Sequence, residues 1–191
     1  MSKSVDLQCL CGELKGKVEV VPGSYFYVHC LCCDCQDFAG YLNNKENILD
    51  EHGGSELFQT YPALVQITAG RDQLDCVQLK EKGLYRWYTR CCQMPVGNTM
   101  SSAKVPFVGL SVKLMQFADE QQKRELLGPV ILKAYGQYAI GEMPDDVHLR
   151  FPVTFLPKII GFMLKGLFGK KHQPSPFFEG AEPVASVRLR S

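Results

Sequence analysis

Eight of the nine cysteines in this 191-residue chain fall in three tight clusters: Cys9-Leu10-Cys11, Cys30-Leu31-Cys32-Cys33-Asp34-Cys35 and Cys91-Cys92. Thiols this dense do not read as ordinary core residues; they read as ligands of a soft or borderline metal. A disulfide framework fits poorly. The count is odd, and neighbours such as Cys32-Cys33 bring their sulfurs together with difficulty. Met1 to Asp6 is polar, with no apolar run and no small-residue cleavage site. Reduced thiols in a cytoplasmic protein are the expectation.

Hydrophobic residues make up 46% of the chain, enough to fill a single core. Twenty-one basic against twenty acidic side chains leave a formal charge of +1, so no overall field recruits nucleic acid. From Val5 to about Tyr88 the pattern is one of short strands. Leu14 to Val20 alternates apolar and polar, Val21-Pro22-Gly23-Ser24 turns the chain, and Tyr25 to Cys30 is rich in aromatic and β-branched residues. Ala63 to Thr68, Leu74 to Leu79 and Leu84 to Tyr88 complete the predicted strands. Cys76 reads as a lone buried thiol and Trp87 and Tyr88 as sheet packing.

Helical signals are confined to three places. Asp34 to Leu42 can form a short helix directly after the central thiols, and Ala118 to Leu127 is a good helix former stopped by Gly128-Pro129. Phe155 to Phe168 places Phe155, Ile159, Phe162, Met163 and Leu167 at helical spacing, with Lys158 and Lys165 on one edge. Its roughly 14 residues fall short of the ~20 apolar residues of a membrane span. Packing on the β body is the leading expectation for this helix, and lying on a membrane surface with Lys170 and Lys171 is the minor one. From Gln173 the tail carries three prolines and no periodicity, and reads as extended or partly disordered, with Phe177-Phe178 as an anchor.

Structural zinc sites usually combine two short cysteine pairs from distant parts of a chain, and Cys9/Cys11 with Cys91/Cys92 supplies such a set. The central cluster offers Cys30-x-Cys32-x-x-Cys35. Three protein ligands with a fourth position left to water or substrate is the pattern of a catalytic site. Cys33 adds overlapping C-x-x-C pairs, so spacing alone leaves a redox pair or an iron–sulfur ligand set open.

The order C-x-C-G (Cys9, Cys11, Gly12), C-x-C-x-x-C followed by a glycine (Cys30, Cys32, Cys35, Gly40), then an aromatic strand running into C-x-x-P (Tyr88, Cys92, Pro95) resembles the glutathione-dependent formaldehyde-activating enzyme family, which also contains centromere protein V. The resemblance covers roughly Leu7 to Leu114. It implies a mainly β, Mss4-like zinc-binding fold of short antiparallel strands over residues 1–115, while residues 116–191 read from their own pattern as helices and an extended tail packed on the same body. It also implies two zinc ions, one held by Cys9, Cys11 and Cys92 and a catalytic one held by Cys30, Cys32 and Cys35. The family's last motif is C-x-x-C, and Thr89 stands where its first cysteine is expected. Cys91 is the nearest substitute, at the cost of an altered turn; a three-coordinate, water-completed or empty site are the other readings. Gln93 replaces a glycine after the last cysteine, and Gln36-Asp37 replace a basic residue after the central triplet.

The implied activity is that of a carbon–sulfur lyase acting on the adduct of glutathione, or another thiol, with a small aldehyde such as formaldehyde. His29, beside the first ligand, and His52 in Glu51-His52-Gly53-Gly54 are the candidate proton carriers. Arg86 and Arg90 read first as solvated arginines and second as partners of a substrate carboxylate. The competing functions are a non-catalytic zinc module that binds a protein through the apolar helix and Phe177-Phe178, and thiol redox work through Cys32, Cys33 and Cys35.

Overall fold

The computed structural model describes residues 3–190. In chain order the first elements are β1 (Lys3–Gln8), β2 (Lys15–Val20), β3 (Phe26–Cys30), α1 (Cys33–Tyr41), α2 (Lys45–Ile48), β4 (Ser55–Thr60), β5 (Val65–Ala69), β6 (Leu74–Gln78) and β7 (Tyr85–Thr89). There follow β8 (Pro95–Thr99), β9 (Val108–Ser111), α3 (Glu120–Leu127), β10 (Leu132–Ala134), α4 (Leu156–Phe168), β11 (Phe178–Glu179), β12 (Glu182–Pro183) and β13 (Val187–Leu189). The fold is mainly β. A three-stranded antiparallel sheet, β1-β2-β5, accompanies an eight-stranded sheet ordered β10-β3-β4-β9-β8-β7-β6-β13 and a small β11-β12 hairpin. In the large sheet only the outermost pairs, β10 with β3 and β13 with β6, are parallel.

Alternation decides which way the strands of the small sheet face. Gly16, Val18 and Val20 are buried while Lys15 and Lys17 are exposed, and Val5 lies opposite Val18 across the β1–β2 ladder. This face packs with Phe58, Trp87, Val96 and Leu110 of the large sheet in the main core. Strands β6 to β9 lose the alternation because both faces are covered. Cys76 and Trp87 belong to the main core, whereas Val77 and Tyr88 belong to a second cluster with Phe38, Ala39 and Leu42 of α1. Strand β8, Pro-Val-Gly-Asn-Thr, is buried throughout despite its weak strand propensity, with Pro95 at its first position.

The segment after Leu114 contributes strands to both edges of the large sheet, β10 at one and β13 at the other. The tail, expected to be extended or partly disordered with Phe177-Phe178 as its anchor, is built into the body and anchored there. Phe177 is 0% exposed, its ring 5.2 Å from that of Trp87, and Arg188 on β13 pairs with Asp75 and donates to the Tyr88 hydroxyl. Helix α3 starts where Asp119 accepts the Gln122 amide at 2.7 Å. It then carries Lys123 to Glu56 on β4 at 2.7 Å, and Glu56 also accepts from the Tyr27 hydroxyl.

Two outcomes follow from this packing. Phe177→Ala should lower unfolding free energy by about 3–5 kcal/mol in urea denaturation, against less than about 0.5 kcal/mol for the exposed Leu189→Ala; a tail that is not core would show no such difference. Burial alone would raise the Glu56 pKa, but the Lys123 ammonium and the Tyr27 hydroxyl outweigh it and hold the carboxyl below its ordinary value. Its contribution to stability is therefore complete above roughly pH 5 and is lost as pH falls through the lowered value. Lys123→Met should flatten that part of the stability profile.

Candidate metal centres

The turn after β1 carries Cys9 and Cys11, and the β7–β8 turn carries Cys91 and Cys92. Their four sulfurs all lie within 4.8 Å of one another. Cys9 Sγ is 3.5 Å from Cys11 Sγ and 3.9 Å from Cys91 Sγ, and Cys91 and Cys92 are 3.8 Å apart. A tetrahedral ion about 2.3 Å from each thiolate requires sulfurs about 3.8 Å apart, so the donor set fits. Gly12 makes the first turn possible: its φ of +81° lets its N–H reach Cys9 O at 3.0 Å. The Leu14 amide approaches Cys9 Sγ at 3.3 Å.

Cys91 thus stands with the other three thiols, and Thr89 lies beside them. The Thr89 hydroxyl is 3.3 Å from Cys92 Sγ. Burial opposes the charged form of Cys92, but hydrogen bonds from Thr89, the Cys11 amide and the neighbouring thiols bring its pKa down to about 7. Gln93 adopts φ +52°, a left-handed conformation that favours glycine, and its N–H donates to Thr89 O at 3.0 Å.

The second group, Cys30, Cys32 and Cys35, also lies within 4.8 Å. Cys30 ends β3, Cys32 caps α1, and Cys35 sits in the first helical turn with its N–H on Cys32 O at 3.0 Å. Hydrogen bonds from Cys30 and Cys32 hold the Cys35 thiol well below its usual range against complete burial, aided by the Arg86 charge and the Ser55 hydroxyl. Cys30 rises in exchange, through its bonds to the other two thiols and its burial. Cys33 is outside the group, exposed and 3.8 Å from Asp34 Oδ1. All nine cysteines are free thiols.

These three sulfurs border a cleft of about 380 Å³. His29 lines it, with Nε2 2.5 Å from Asp50 Oδ2, and Asp50 Oδ1 accepts the His52 and Gly54 amides. A Cβ on Gly54 would fall 2.1 Å from His29 Nε2, so the pair depends on a glycine there. His52 is not on the cleft; it lies 3.6 Å from the exposed Glu51. Arg86 corrects the expectation of a solvated side chain. It is 3% exposed, 3.3 Å from Asn98 Oδ1, 3.7 Å from Asp34 Oδ2, and over the Phe38 ring. Arg90 is exposed.

Asp50, Ser55, Asn98 and Lys80, which pairs with Asp34 at 2.9 Å, carried no local sequence signal, because only the tertiary packing of strands and loops brings them here. The same holds for the wall formed by Leu132, Tyr135, Tyr138 and Phe151, some hundred residues from the thiols. Gln36 braces that wall, donating to Leu31 O at 3.0 Å and Tyr138 O at 2.8 Å. Tyr135 takes the left-handed conformation, φ +68°, an uncommon state for a bulky residue and one that recurs at ligand sites.

If Cys91 is the fourth donor of the closed group, Cys91→Ala should reduce the metal content of purified protein by one ion per chain in elemental analysis and leave the Cys30/Cys32/Cys35 ion in place. Cys76→Ala should change neither. An unchanged ion count in Cys91→Ala would show that the first group needs only three thiols.

No curated protein matches the chain. One solved structure, of a Rhodobacter sphaeroides protein determined in a structural genomics programme, is 16% identical at a TM-score of 0.45, the match covering 65% of this chain and 96% of that one. The model of a family of unknown function, DUF6151, matches residues 1–188, and the chain belongs to that family.

Proposed function

We propose that both cysteine groups hold zinc and that the protein is a carbon–sulfur lyase-like enzyme acting on the thiol adduct of a small aldehyde, with glutathione and formaldehyde as the model pair. The observation that carries this reading is the contrast between the groups. Four mutually close thiols make a closed set, whereas three thiols beside a cleft make an open one. Bound there, zinc would supply a Lewis acid that keeps a thiol ionised near neutral pH.

In the synthetic direction a carbon–sulfur bond forms, the carbonyl π bond breaks, and the thiol proton ends on the former carbonyl oxygen. His29 is the residue suited to move that proton. Asp50 engages its Nε2, which leaves Nδ1 for exchange, and the Gly54 and His52 amides fix Asp50. Val28, Leu57, Leu132 and Phe107 give the cleft apolar walls that exclude water from the adduct. Asp34, paired to Lys80 and near Arg86, keeps its charge neutralised beside the thiolates. Reduced thiols throughout suit the cytoplasm.

Metal-loaded protein should accelerate adduct formation from glutathione and formaldehyde above the uncatalysed rate. Gly54→Ala and Asp50→Asn should lower kcat about 100-fold with two ions per chain retained. No acceleration by fully loaded wild type would reject the reaction, and full activity in both variants would remove His29 from it.

A further inference from the structure

We infer that the outer face of α4 is a docking surface for an anionic membrane. The helix is apolar on two sides. Phe155, Ile159, Phe162 and Gly166 face the body: Phe162 stacks on Tyr61 with centroids 4.2 Å apart, and the Tyr61 hydroxyl donates to Phe162 O. The opposite side presents Val153 (74% exposed), Leu156, Ile160 (56%), Leu164, Leu167 and Phe168 (86%). These residues recur at the three- and four-residue spacing of one helical stripe, and nothing among the described residues covers them.

Charge identifies the occupant. Between Val147 and Phe178 the sequence holds Arg150, Lys158, Lys165, Lys170 and Lys171 and no Asp or Glu, in a chain whose overall charge is only +1. Lys158 and Lys165 border the apolar stripe, and Lys170 and Lys171 lie exposed just past its end. Lys165 is tied to Gly23 O at 2.9 Å, which pins the helix to the body. Among the described residues no helix is long and apolar enough to cross a membrane. An exposed apolar stripe rimmed by lysines, on a helix too short to span, suits the boundary between headgroups and acyl chains of an anionic bilayer.

The test is vesicle flotation, using phosphatidylcholine alone and phosphatidylcholine containing phosphatidylserine, together with sedimentation of the free protein. Wild type should float with the phosphatidylserine vesicles and not with phosphatidylcholine. Ile160→Glu/Phe168→Glu should abolish flotation, and Lys170→Glu/Lys171→Glu should weaken it about tenfold or more. Circular dichroism of these exposed-site variants should match wild type. Failure to float with either vesicle, or equal flotation of the variants, overturns the inference. So does a concentration-dependent dimer abolished by Phe168→Glu, which would make the occupant a second copy.

Discussion

The two sheets meet at four sulfurs as well as across the main core. Cys9 and Cys11 come from the end of the small sheet's first strand, Cys91 and Cys92 from a turn of the large sheet more than eighty residues later, and their contacts of 3.5 to 3.9 Å clasp one sheet to the other. Thiolates that close repel unless a cation lies among them. A divalent ion would convert an unfavourable cluster into a cross-link that closes a long loop, which is where such links restrict the unfolded chain most. Trp87, Phe58 and Val18 then pack in the space the clasp defines.

The sequence pattern was legible where local chemistry dominates. Period-two alternation located β2, aromatic and β-branched residues located β3, and helix-forming residues stopped by Gly128-Pro129 located α3. The thiol groups were legible because their members lie at the short spacings that chelation demands. Strand β8 was not, because Pro95, Gly97 and Asn98 disfavour strands and tertiary burial overrides that preference. Arg86 was misread for a related reason: nothing beside it in sequence announces Asn98, Asp34 and Phe38, which the strand register and the α1 packing bring to it. Asp50 and Gly54 act through a contact between a loop and β3 that no spacing rule encodes.

The β7–β8 turn combines three features around the first thiol group. The Thr89 hydroxyl lies 3.3 Å from Cys92 Sγ, Cys91 stands with Cys9, Cys11 and Cys92 in the thiol group, and Gln93 adopts a left-handed backbone. A non-glycine residue in that conformation costs on the order of 1 kcal/mol, a cost that persists only where surrounding contacts fix it. Here the Gln93 carbonyl accepts from Asn44 and its amide donates to Arg90 O. The turn is therefore held on both sides.

The segment beyond Leu114 joins the open thiol group to the molecular surface. Strand β10 pairs in parallel with β3 so that Ala134 lies opposite Cys30, and Ala134 O accepts the Leu31 amide at 3.1 Å. Tyr135 and Tyr138 follow directly along the cleft wall, and Phe151, also on that wall, meets Phe155 edge-on at 6.1 Å just before α4 begins. Tyr135, Phe151 and Phe155 thus form a run of neighbouring rings, 6.4 and 6.1 Å apart, between the cleft wall and the body-facing side of α4, so burial of that helix face and formation of the wall depend on the same aromatic packing.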